Sequence, residues 1–365
     1  LLIGSLSLAQ AAEPPTCPTD AEWLEPTTYL KSLSLDLRGV VPTLEEYEQV
    51  AEMGAVPEEW IEQWLGEEAF VVRAVRFHRD LLWNNVSEVS LVSAAHSLRS
   101  SSGIYWRSNP ADDYRGETVY CGDFEATLDE VDGYPIPVQQ DDGTQQEGWV
   151  WVNPYWDLEN PIKVCAFDAQ QRALSAKGTA CDSVDGRNDP ECGCGPNMRW
   201  CVSQTIHRAV GEGFTQDLDL RVAENVRENK SYVDLLTGRY GYVNGPIVDF
   251  LRHRRSLPNS IRFTEAPYDI EGLPDLSFTQ KEEWRRIDLG EDHSGILTSP
   301  AFLVRFQTNR ARSNQFYNAF LCQPFQPPAT GLTDLDTKNP TLDLTARPGC
   351  NGCHALLEPA SAYWG

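Results

Sequence analysis

The chain has 365 residues, 41% of them hydrophobic, so it can bury a sizeable core and is globular rather than disordered. Its 54 acidic and 30 basic residues leave a formal net charge of −24, which argues against nucleic acid and against anionic membrane surfaces as partners. Such a surface suits solubility outside the cytoplasm, or a basic redox partner protein.

Leu1 to Leu8 is a short apolar run followed by Ala9-Gln10-Ala11-Ala12, the pattern of a secretory h-region with small-x-small cleavage after Ala11. Residues 1–11 are therefore expected to be a signal-peptide remnant, with Pro14-Pro15 opening the mature chain; a buried core helix is the alternative. No later segment approaches the roughly 20 apolar residues of a membrane span. A periplasmic or extracellular protein is expected.

Residues 20–100 read as a helical N-terminal domain. Leu24, Leu30, Leu33 and Leu37 recur at helical spacing with a break at Pro26, and Arg38-Gly39-Val40-Val41-Pro42 ends the run. Thr43 followed by Glu46 predicts a capping box. Helices are predicted over 58–65, with Trp60, Ile61, Trp64 and Leu65 on one side, and over 67–83.

Residues 103–205 change character: helical periodicity fades, Gly, Pro, Asp and Asn become dense, and Gly148-Trp149-Val150-Trp151-Val152 reads as a strand. Six of the ten cysteines (Cys121, Cys165, Cys181, Cys192, Cys194 and Cys201) lie here, which predicts a disulfide-stapled, irregular insertion. The acidic run 182–189 raises a calcium site, but its spacing is not that of an EF-hand, so a solvated loop is the reading.

Helical signal returns over 206–321. Leu220, Val222, Ala223 and Val226 share a face, Gly238 is a stop, Asn244-Gly245-Pro246 reads as a turn, and Ser299-Pro300 starts a helix. Residues 322–365 read as a linker leading into a truncated haem-attachment domain. The expected fold class is mainly α: helical N-terminal and C-terminal modules around an irregular, disulfide-rich, partly β insertion.

The motif that carries chemistry is Cys350-Asn351-Gly352-Cys353-His354. Covalent haem c needs two thiols that add to the porphyrin vinyl groups and an imidazole that ligates iron, and Cys-x-x-Cys-His supplies them in order. His354 is the expected proximal ligand. For this composition the pattern arises by chance roughly one time in two hundred. The alternatives are a disulfide, a zinc site, which wants a second close Cys/His pair, and a thioredoxin-like pair, which wants a βαβ setting. For the sixth iron position the candidates are Met53, Met198, His78, His96, His207, His253 and His293. His293, in a loop before a helix, and Met198, inside the cysteine cluster, are preferred.

Several stretches resemble the uncharacterised domain families that accompany planctomycete- and myxobacterial-type cytochrome c proteins. Leu35-Asp36-Leu37-Arg38-Gly39 with Pro42-Thr43 is similar to the N-terminal signature, and Trp64-Leu65 through Leu81-Leu82 to the helix after it. Leu235-Leu236-Thr237 with Tyr240 and Val243-Asn244, then Gly295-Ile296-Leu297-Thr298 and Thr308 to Ser313, resemble two further families, the last ending in the haem motif. These patches cover about half the chain, in the families' order. Two features depart: His293 stands where the pattern usually has Arg, and the cysteine-rich stretch looks like an insertion. The families also continue past the motif, so truncation at both ends is expected. The resemblance implies an exported cytochrome with no catalytic residues to carry over.

Three functions stay open on the sequence: electron transfer through one covalent haem, a haem-dependent extracytoplasmic oxidoreductase or peroxidase-like enzyme, and a surface or binding protein with structural disulfides. Trp149, Trp151 and Trp156 suit sugar stacking or simple core packing.

Overall fold

The computed structural model describes residues 24–86, 91, 97–107, 121–181, 183, 185–186, 189, 191–253, 268–325, 342–347 and 349–364. The predicted signal segment, Cys17, His96, parts of the acidic run 182–189 and most of the linker before Cys350 lie outside the described residues. The chain divides into two compact units, Leu1–Arg73 and Ala74–Gly365.

The first unit is helical. Helix α1 (Pro26–Leu37) starts at Pro26 rather than breaking there, because the ring's fixed φ suits the first helical position, where no N–H bond is lost. Helix α2 (Leu44–Met53) opens with the full capping box: Glu46 N donates to Thr43 Oγ1, and Thr43 N donates to the Glu46 carboxylate. It closes on Gly54, whose φ of 71° is the left-handed region that favours glycine. Helix α3 (Glu58–Leu65) follows. Leu30, Val50 and Trp64 form the core, with Leu33, Leu37, Tyr47 and Trp60 against it. Arg38 lies 4.1 Å over the Trp64 ring while its Nη1 donates to Glu46 Oε1 at 2.8 Å, tying the end of α1 to the start of α2. The unit boundary falls within helix α4 (Glu68–Leu82).

Among its described residues the second unit has three buried clusters: a large one among the helices, a second at Leu98, Val152, Val164 and Met198, and a third at Ile104, Cys121 and Cys165. Strands β1 (Ser97–Ser101) and β2 (Ile104–Arg107) are followed by two short ladders, β3 (Thr127–Leu128) with β4 (Pro135–Ile136) and β5 (Val138–Gln139) with β6 (Gln145–Gln146). Then come β7 (Trp149–Val152), β8 (Ile162–Cys165) and β9 (Val202–Ser203). The main sheet has the order β7-β8-β2-β1-β9 and is mixed: β7/β8 and β2/β1 are antiparallel, β8/β2 and β1/β9 parallel. Three disulfides staple this region, Cys121–Cys165, Cys181–Cys192 and Cys194–Cys201, as the cysteine density predicted.

The spine of the larger core is α5 (Gln204–Arg227), which buries Ile206, Val210, Phe214, Leu218 and Val222 at four-residue spacing. It begins at Gln204, close to the expected boundary at 206, although the apolar face named from the sequence starts only at Leu220. Gly211 and Gly213 dilute the pattern over that first stretch. A Cβ at Gly213 would stand 3.0 Å from Ile247 Cγ1 and 3.2 Å from Asn244 Oδ1, so α7 and its cap approach this helix closely there. Around α5 pack α6 (Tyr232–Thr237), β10 (Tyr240–Val243) and α7 (Gly245–His253), and β11 (Arg285–Asp288) pairs with β10. Asn244-Gly245-Pro246, read as a turn, is instead the start of α7, with Asn244 Oδ1 accepting from Ile247 N at 3.2 Å. Helix α8 (Pro300–Arg305) starts at Pro300 behind the Ser299 cap, as expected. Helices α9 (Asn309–Leu321) and α10 (Asn351–Ser361) pack on each other.

The mainly α expectation is corrected. Among the described residues 44% are helical and 13% extended, and the mixed five-stranded sheet makes the chain mixed α/β. The insertion, read as irregular and partly β, holds four of the sheet's five strands: β7 falls on the predicted run 148–152, while β2, β8 and β9 are two to four residues long, too short to stand out by alternation. Among the described residues no helix is long and apolar enough to cross a membrane.

Candidate functional site

Cys350, Cys353 and His354 occupy the first turn of α10, with Cys350 at the N-cap position. Cys353 N and His354 N both donate to Cys350 O, at 3.3 and 3.0 Å. Positions i, i+3 and i+4 of a helix share a face, so this turn sets both sulfur atoms and the imidazole on one side. Cys350 and Cys353 remain thiols, outside the three disulfides, and both are partly exposed. Cys322, at the end of α9, is an exposed thiol.

The helix carrying this turn is anchored beyond the motif. Beyond His354, Leu357 is buried, and the chain closes on Trp364, which packs against Phe302 and Phe316 in the larger core. Trp364 Nε1 donates to Leu297 O at 3.1 Å. Arg312 of α9 is buried and donates from Nε to Phe306 O at 2.8 Å and from Nη1 to Trp364 O at 3.5 Å. The motif therefore sits on a helix whose far end is pinned by an indole and a guanidinium.

His354 Nδ1 lies 2.7 Å from Glu358 Oε1, one turn further along α10. Arg310 Nε of α9 reaches the same oxygen, also at 2.7 Å. The bond to His354, with help from Arg310, holds the Glu358 carboxyl below the usual glutamate value. Neither Glu358 nor Arg310 stood out in the sequence reading. The available signal was the four-residue offset from His354, which puts a carboxylate beside a histidine on any helix.

The other ligand candidates lie in varied surroundings. Met198 is fully buried in the second core, between the halves of the Cys194–Cys201 disulfide, with Leu98, Val152 and Val164. His293 is buried and meets the Tyr268 ring edge-on at 5.2 Å. His78 is engaged at both ring nitrogens, Nδ1 with Ala74 O at 2.7 Å and Nε2 with the Tyr232 hydroxyl at 3.1 Å, and burial holds its pKa below the usual histidine value. His207 Nδ1 accepts from Leu91 N at 3.0 Å. His253 is half-buried beside a cleft that Tyr155, Arg199, Arg252 and Asp275 also line. Met53 is exposed. The turn at α10 thus brings together Cys350, Cys353 and His354, while Met198 and His293 belong to two different core environments.

Among the described residues no group of three or more His, Cys, Asp or Glu side chains converges as a cage for a bare metal ion. A porphyrin iron asks less of the protein, since four of its ligands come from the ring and one imidazole suffices on the proximal side. The residues present fit a covalently held haem: two thiols and one imidazole on one helical face, and a carboxylate on the far ring nitrogen of the imidazole.

No family model, curated protein or solved structure matches the chain.

Proposed function

We propose that this protein is an exported c-type cytochrome that holds one haem through Cys350, Cys353 and His354 and transfers electrons. The reading is carried by the two thiols and the imidazole sharing one face of the first turn of α10. Six other cysteines pair in disulfides, which form and persist outside the reducing cytoplasm, and haem c is likewise attached there. The ordered patches that resemble planctomycete- and myxobacterial-type cytochrome c domains support the same reading.

When bound, the haem supplies a one-electron ferric–ferrous couple. The chain's own residues do the rest. Cys350 and Cys353 would hold the group, each adding its S–H across a vinyl group to give a thioether, and His354 would offer its imidazole to the iron. Glu358 holds the His354 Nδ1, and Trp364 with Arg312 keeps α10 in place. The net charge of −24 favours docking of a basic redox partner protein.

The test is expression of the full chain with a haem-attachment system, followed by denaturing electrophoresis with haem staining and a pyridine haemochrome spectrum. Haem that survives denaturation and is lost in the Cys350→Ala/Cys353→Ala double variant is the expected result. A wild-type chain without covalent haem sinks the proposal. In the loaded protein, a low-spin spectrum in both oxidation states supports electron transfer, and a high-spin, peroxide-reactive one overturns it in favour of an enzyme.

A further inference from the structure

We infer that Glu358 is the positioning residue for the iron ligand: it fixes His354 as the Nδ1–H tautomer and so makes Nε2 the ligating nitrogen. This inference rests on the haem reading above. A neutral imidazole carries one proton, and an ionised carboxylate can only accept. At 2.7 Å between Nδ1 and Oε1, the proton therefore belongs on Nδ1, and the lone pair is left on Nε2. A ligating histidine is oriented and made more basic when its other ring N–H is given to a carboxylate. Here that acceptor is on the same helix, one turn away, so the helix that presents the ligand also sets its tautomer.

Arg310 extends the chain by one group. Its Nε meets the same Oε1 at 2.7 Å, so one oxygen atom takes contacts from both α9 and α10. The positive guanidinium draws part of the oxygen's charge away from the ring. Glu358 accordingly pushes electron density toward the iron ligand, and Arg310 limits that push. A bare helical His–Glu ion pair is the competing account, and it needs both ring nitrogens protonated, which leaves no lone pair for iron.

The deciding measurement on the wild type is nitrogen NMR of His354 in the full-length, haem-free chain, at a pH where imidazoles are neutral. The Nδ1–H tautomer is expected. It should give way to a mixed or Nε2–H population in Glu358→Gln, whose amide can donate as well as accept. In the haem-loaded protein, Glu358→Gln should retain covalent haem while its midpoint potential rises, because His354 loses its anionic hydrogen-bond partner and donates less to the ferric state. Arg310→Gln should lower it. An Nε2–H ring in the wild type overturns the inference. So does a potential unmoved in both Glu358→Gln and Glu358→Ala when covalent haem is present. A wild-type chain with no covalent haem removes the haem reading, and this inference falls with it; the other two outcomes remove this inference alone.

Discussion

On the proposed haem reading, Cys350, Cys353 and His354 have separable consequences, because each would contribute a different bond. Cys350→Ala or Cys353→Ala alone should leave one thioether and one intact vinyl group, which extends the porphyrin conjugation. A red-shifted pyridine haemochrome band with haem still covalent is the expected result, read by absorbance and haem staining. A second residue-scale prediction concerns the buried pair Asp217–Arg221 of α5. Arg221 Nε and Nη2 each donate to the Asp217 carboxylate at 3.0 Å, Nη1 donates to Gly295 O at 3.2 Å, and Asp217 Oδ1 accepts from Tyr242 N. Both side chains are 2% exposed. Arg221→Met strands an ionised carboxylate in the core and should cost about 3–5 kcal/mol in urea unfolding. The double variant Asp217→Leu/Arg221→Met should recover much of that loss, since the stranded charge goes too.

Among the elements, α2 gives the sharpest test of a local signal. Thr43→Ala removes the acceptor for Glu46 N and should lower stability by about 1 kcal/mol. Glu46 also titrates in a predictable sense. Hydrogen bonding from Arg38, aided by Thr43, holds its carboxyl below the usual glutamate value. A depressed folded-state pKa stabilises the fold fully above the unfolded value and loses that contribution as the pH falls through the folded one. Helix content of the first unit should therefore weaken below about pH 4.5, and Glu46→Gln should flatten that part of the acid limb in circular dichroism titrations. Element boundaries were harder to read than element existence. Pro26 and Gly245-Pro246 look like breaks in a linear pattern, yet both stand in the first turn of a helix, where proline costs no hydrogen bond.

Across the whole molecule, covalent staples and surface charge decide behaviour under stress. The Cys121–Cys165 bridge closes 44 residues between β8 and the segment before β3. Chain entropy assigns a loop of that size about 4 kcal/mol, so Cys121→Ser/Cys165→Ser should lower the urea midpoint of the second unit by a corresponding amount. The net charge of −24 makes partner association salt-dependent. On-rates with a basic redox protein should fall steeply as ionic strength rises, measured by stopped-flow electron transfer. An unchanged rate would point to an apolar docking patch instead.

What the sequence determined by itself is chemistry that depends on near neighbours. Cys350, Cys353 and His354 are four residues apart at most, so one helical turn settles their shared face, and the capping box at Thr43 and Glu46 obeys the same local rule. The crowding of cysteines between Cys121 and Cys201 likewise foretold disulfides, though not their pairing. The tertiary structure alone decided the rest. The five-stranded sheet draws its strands from residues 97 to 203, and its parallel pairs β8/β2 and β1/β9 join segments with no local pattern in common. Arg310 and Glu358 meet only because α9 packs on α10. Short strands and contacts between distant segments are selected by burial and hydrogen-bond satisfaction, and neither is written in the spacing of residues along the chain.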